Sequence, residues 1–144
     1  MAETGCKKGG NDMAIVFNAD EVFEMAIRIE NNGAEFYRKA AGFQSDSKNQ
    51  KFLKGLASME DQHRKIFSEM RTTLTEKEKG PKVFDPENEA SQYLAAMADT
   101  MGGEGSPSVA DSLTGEETLE DILQIAVGLE KDSILFYLGI KDLI

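Results

Sequence analysis

The stretch Ala26-Ile-Arg-Ile-Glu-Asn-Asn-Gly-Ala-Glu-Phe-Tyr37 returns in outline 100 residues later as Ala126-Val-Gly-Leu-Glu-Lys-Asp-Ser-Ile-Leu-Phe-Tyr137. Both copies read Ala, a β-branched residue, any residue, a branched aliphatic, Glu, five residues, then Phe-Tyr. A repeat at this scale predicts two similar helices related by a pseudo-twofold, each placing one Glu at the same depth. Between the copies lies Glu60-Asp-Gln-His63, which contains the only histidine of the chain. The same offset would put a second Glu-x-x-His beyond Ile144, where the sequence ends.

Working outward, Asn18-x-x-Glu21 is a capping-box pattern with Phe17 and Val22 at the staple positions, so a helix is expected from there. Its stripe is Phe23, Ala26, Glu30, Gly33, Tyr37 and Ala40, stepping by three and four along one face, with Gly42 as the expected stop. Ser47-x-x-Gln50 opens a second helix with the stripe Phe52, Leu56, Met59, His63, Ile66 and Met70, ending before Gly80-Pro81. Thr114-x-x-Glu117 opens a third, with Leu119, Leu123, Ala126, Glu130, Ser133, Tyr137 and Ile140 on one face. The connection 77–114 is rich in turn signals and is expected to hold a short helix from Pro86 to about Met101, with Asp85 as its cap. A crossover of that length suits two parallel neighbours, whereas an antiparallel pair needs only a short loop.

The expectation is an all-α fold of the ferritin-like four-helix-bundle type: three long helices, a short crossover helix, and no fourth long helix. Residues 1–17 read as a flexible N-terminal arm carrying the single cysteine, Cys6, and residues 18–144 as one helical domain. The net charge of −10 argues against a nucleic-acid partner, because phosphate binding needs a basic surface. No apolar run approaches membrane-spanning length. With no disulfide framework and no secretory leader, the expected location is cytoplasmic.

Taken singly, each polar residue on these stripes has a bland reading: Glu30 and Glu130 as edge carboxylates, His63 as a core histidine, Tyr37 and Tyr137 as core aromatics. Together they say more. A carboxylate on an apolar stripe must pair, take up a proton or bind a metal. Glu plus Glu-x-x-His, doubled, is the ligand set of di-iron and di-manganese bundles.

At these residues the chain resembles the rubrerythrin-like branch of the ferritin-like superfamily. The likeness is carried by residues 26–40, by Leu56-Ala-Ser-Met-Glu-Asp-Gln-His63, by Leu129–Tyr137 and by Tyr93-Leu-Ala-Ala-Met-Ala98. It implies Glu30, Glu60, His63 and Glu130 as ligands of a di-iron centre, with manganese or zinc as alternatives. Tyr37 and Tyr137 would hydrogen-bond the ligand carboxylates from behind. It further implies reduction of peroxide or oxygen, or oxidation of ferrous iron, with a separate rubredoxin-type protein as electron donor. Three departures stand against a full transfer. The fourth helix with its Glu-x-x-His is missing, Ser133 stands where full-length rubrerythrins carry another Glu, and no cysteine-rich domain is present. Three readings of the missing quarter remain open: the sequence is part of a longer protein, two chains combine as a homodimer, or the site is vestigial. If the site stays incomplete, the alternative role is iron binding or helical oligomerisation without turnover.

Overall fold

The structure is a computed structural model that describes residues 18–79, Gln92 and residues 107–141. Every element among the described residues is helical: α1 (Ala19–Phe43), α2 (Ser47–Thr72), α3 (Glu76–Lys79), α4 (Pro107–Ser112) and α5 (Leu119–Lys141). This bears out the all-α class. No described helix is long and apolar enough to cross a membrane. The expected arm with Cys6, the staple residue Phe17, the crossover helix 86–101 and the chain end lie outside the described residues.

Helix α1 begins as its sequence dictates. Asn18 caps it, accepting from the Glu21 N–H at 2.8 Å while Glu21 accepts from the Asn18 N–H at 3.1 Å. It is the central helix and packs against each of the others. Its expected stripe from Ala26 to Ala40 is buried, joined by Met25, Ile29, Ala34, Phe36 and Ala41. Gly42 is not the stop: the helix runs on to Phe43, and Gln44, in extended backbone, ends it. A three-residue link then reverses the chain. Asp46 caps α2 by accepting from the Lys48 and Asn49 N–H groups, one residue ahead of the expected Ser47.

Helices α1 and α2 are antiparallel. Arg71, near the end of α2, forks onto Asp20 near the start of α1 at 2.7 and 3.0 Å. Further along, Arg38 pairs with Asp61. The α2 face differs from expectation. Leu53, Ala57 and Glu60 are buried, whereas Phe52, Met59, Ile66 and Met70 stand 46–51% exposed. The contact with α1 is turned by about one position, so the stripe read from the sequence looks out along the open side of the bundle.

The approach to α5 also differs. Thr114-x-x-Glu117 closes on itself as a turn: the Glu117 carboxylate accepts from the Thr114 N–H at 2.7 Å and the Gly115 N–H at 3.0 Å. Gly115 sits at φ +94°, where a side chain would be strained, and a Cβ there would meet the Phe43 ring at 3.3 Å. The helix starts one box later. Thr118 accepts from the Asp121 N–H at 3.1 Å, and Asp121 accepts from the Thr118 N–H at 3.0 Å. Sequence reasoning also missed α4, where Pro107 opens a short helix in a stretch read as a turn; proline is well suited to the first helical position. Leu113, just after it, plugs the core formed by Phe36, Ala40, Leu53, Ile122 and Ala126.

On α5 the buried positions are Ile122, Ala126, Leu129 and Ser133. Of the expected stripe, Ala126 and Ser133 are buried and Leu119, Leu123, Glu130 and Tyr137 are half-buried at its margins. Because α1 runs antiparallel to α2 and, as its hydrogen bonds show below, to α5, the last two are parallel. They touch where Phe67 meets Tyr137, with ring centroids 6.2 Å apart.

Candidate metal site

Two helices build the site. On α1, Glu30 follows Ala26 by one turn on the face that turns inward, and it is 4% exposed. On α2, Glu60 follows Ala57 on the face packed against α1 and is also 4% exposed. His63, three residues on, sits at the margin of that face, its side chain 49% exposed. One donor atom from each of the three lies within 4.8 Å of the others. His63 Nδ1 stands 3.5 Å from Glu30 Oε2 and 3.6 Å from Glu60 Oε2. The i, i+3 spacing brings Glu60 and His63 to the same side of α2, and the antiparallel α1 sets Glu30 opposite them.

Glu30 uses its two oxygens differently. Oε1 accepts from the Tyr137 hydroxyl at 3.2 Å. Oε2 is buried and has no hydrogen-bond donor among the described residues. A buried carboxylate oxygen left without a donor is costly. A divalent cation between Oε2, Glu60 and the imidazole would remove that cost. Carboxylate and imidazole together suit iron, manganese or zinc. The residues present therefore fit a metal, and Tyr137 holds Glu30 so that Oε2 is the oxygen turned towards His63.

The repeat meets itself across α1 and α5. Tyr37 donates to Glu130 at 3.1 Å, while Tyr137 donates to Glu30. Each copy's tyrosine serves the other copy's glutamate. This crossing requires the two helices to be antiparallel and places the pseudo-twofold between them. Glu130 is half-buried and is not a member of the three-donor group.

Sequence reasoning missed Phe67. It lies seven residues after Glu60 on the same side of α2, and its ring sits 6.4 Å from Phe23 and 6.2 Å from Tyr137. That i+7 spacing was the available signal. The ring packs against the tyrosine that orients Glu30.

Compared with known proteins, the chain matches no family model, no curated protein and no solved structure.

Proposed function

We propose that this chain is a cytoplasmic, rubrerythrin-like iron protein of the ferritin-like kind, which reduces peroxide or oxygen or oxidises ferrous iron. The observation that supports this is the convergence of Glu30, Glu60 and His63, with Glu30 Oε2 buried and lacking a hydrogen-bond donor among the described residues. The residue motifs around them supply the family resemblance. Bound iron would provide the redox equivalents. The chain's own residues do the rest: Glu30, Glu60 and His63 hold the metal, Tyr137 orients Glu30, and the α1–α2 contact keeps water from two of the three donors. Glu130, held by Tyr37, is the carboxylate available for a second iron. A separate rubredoxin-type protein would deliver electrons.

A second reading is iron binding without turnover. It is favoured by the half-exposed His63 and by a donor group of three rather than the doubled Glu plus Glu-x-x-His set.

Anaerobic Fe²⁺ loading decides between them. The proposal expects roughly one tightly bound iron per chain from a half-set of ligands, lost in His63→Ala, and peroxide consumption that disappears in Glu60→Ala. Iron uptake without consumption favours the second reading. No uptake sinks both and leaves a helical module whose Glu–His pair is structural.

A further inference from the structure

Among the described residues, one side of the bundle is apolar and open. Along α2 it presents Phe52, Met59, Ile66 and Met70, and along α5 Val127, Ile134 and Leu138, all roughly half exposed. The α2 stripe at positions 52, 56, 59, 63, 66 and 70 is symmetric about residue 61. Position 52 mirrors 70, 56 mirrors 66, and 59 mirrors 63. On α5, Val127 mirrors Leu138 about a point near Asp132, and Ile134 mirrors Lys131, whose aliphatic stem can lie along it. The contact of Phe67 with Tyr137, and of Glu30 with both His63 and Tyr137, brings the middle turns of these parallel helices alongside each other. Both stripes are thus centred at nearly one level, which is also the level of Glu60 and His63.

We infer that a second copy of this chain covers the open side. Its α2 lies antiparallel on α2 and its α5 antiparallel on α5, across a twofold axis at the level of Asp61. Phe52 then packs on Met70 of the second copy, Leu56 on its Ile66, and Met59 beside its His63. A twofold contact of this kind requires a self-complementary surface, which the mirrored spacing supplies. Among the described residues, helix α1 lies behind α2 and α5, away from this side. The half-exposed side chains on this face present on the order of 800 Å² per chain, about what each partner of a standard-sized interface buries.

The inference rests on the metal reading for its consequence at the site. The second copy shields His63, the one donor open to water, and brings two three-donor groups face to face. The two His63 residues stand four positions apart along the paired helices, about 6 Å at the helical rise per residue.

Sedimentation equilibrium of the full chain, in chelator and with added Mn²⁺, is the first test. The expected mass is twice 15.8 kDa in both. Met59→Lys/Ile66→Lys alters two exposed positions, so helicity by circular dichroism is expected to hold while dimer dissociation rises at least 100-fold. In a Cys6→Ser background, Leu56→Cys/Ile66→Cys is expected to oxidise to a covalent dimer, and Leu56→Cys alone is not. A chain that is monomeric at tens of micromolar overturns the inference. So does a dimer that tolerates both lysines, or one that Leu56→Cys alone cross-links equally well. Metal uptake by a strictly monomeric chain would leave the proposed function standing while this inference falls; a dimer that takes up no metal would do the reverse.

Discussion

Replacing Glu30 with Gln should stabilise the metal-free protein while removing its response to metal. One carboxylate oxygen from each of Glu30 and Glu60 lies within 4.8 Å, and both residues are 4% exposed. Two unit charges at that separation repel by roughly 3 kcal/mol at an effective dielectric constant near 20. Half-exposed His63 lets water near the pair, so about 2 kcal/mol is the expected relief. Gln keeps an oxygen to accept from the Tyr137 hydroxyl, and its amide can donate towards Glu60, so no partner is orphaned. For a chain of this length, 2 kcal/mol corresponds to a rise in Tm of about 4–8 °C. The measurement is calorimetric or urea unfolding in chelator. With Mn²⁺ at a hundred times its dissociation constant, the unsubstituted protein gains about 2.7 kcal/mol by linkage. The variant gains nothing, so the order of stability reverses. A Gln variant less stable than the parent in chelator would refute the account of Glu30 as a strained, metal-ready carboxylate. So would an equal gain with Mn²⁺ in both proteins.

Further outcomes follow from the same geometry. Tyr137→Phe should weaken metal binding by about tenfold, since it frees the carboxylate it orients. Tyr37→Phe, which touches Glu130, should change the first metal's affinity little while costing about 1 kcal/mol of stability; isothermal titration and urea unfolding read the two effects. Glu117 is held down to about 2 from 4.5, first by the Thr114 backbone N–H. A lowered carboxylate contributes stability that is complete above its ordinary value and is lost as pH falls towards 2. Glu117→Gln should therefore be less stable than the parent at pH 6, with the difference gone near pH 2. Arg71 is held above its usual value chiefly by its hydrogen bond to Asp20. Arg71→Ala should lower stability by about 1 kcal/mol, as expected of a forked, partly exposed pair, and Asp20→Asn in addition should add little in a double-mutant cycle.

Much of this arrangement can be read from the residue pattern alone. Asn18-x-x-Glu21 announces the start of α1, and the 26–40 stripe is the face that becomes buried. The single histidine, three after a glutamate, points to the donor group. The departures share a cause: several local patterns fit the same stretch, and only tertiary contacts choose. Thr114-x-x-Glu117 and Thr118-x-x-Asp121 both satisfy the capping-box pattern. Gly115 at positive φ, packed against Phe43, turns the first into a bend and leaves the second to start the helix. On α2, residues 52 to 70 carry a regular apolar stripe, yet α1 takes the adjacent line through Leu53, Ala57 and Glu60. Periodicity reports that a face is apolar, not which neighbour covers it. The crossed tyrosines were likewise out of reach. Seven-residue spacing puts each Tyr two turns from its own Glu, and only the antiparallel meeting of the two copies hands it to the other.

That crossing also explains why the two halves of the repeat are chemically unequal. Glu30 and Glu130 each receive a tyrosine hydroxyl from across the pseudo-twofold. Among the described residues only Glu30 receives a second carboxylate and an imidazole, because α2 packs on one side of the pair. Among the described residues no helix stands in the symmetric position beside α5, and the apolar side chains that such a neighbour would cover are the half-exposed ones on α2 and α5. The open face and the unequal surroundings of the two glutamates are therefore one feature of the architecture rather than two. Whatever covers Met59, Ile66 and Ile134 also sets the surroundings of His63. Shielding and metal affinity should then move together: substitutions that open this face should weaken metal binding although they touch no donor, and substitutions on the opposite side of α1 should not.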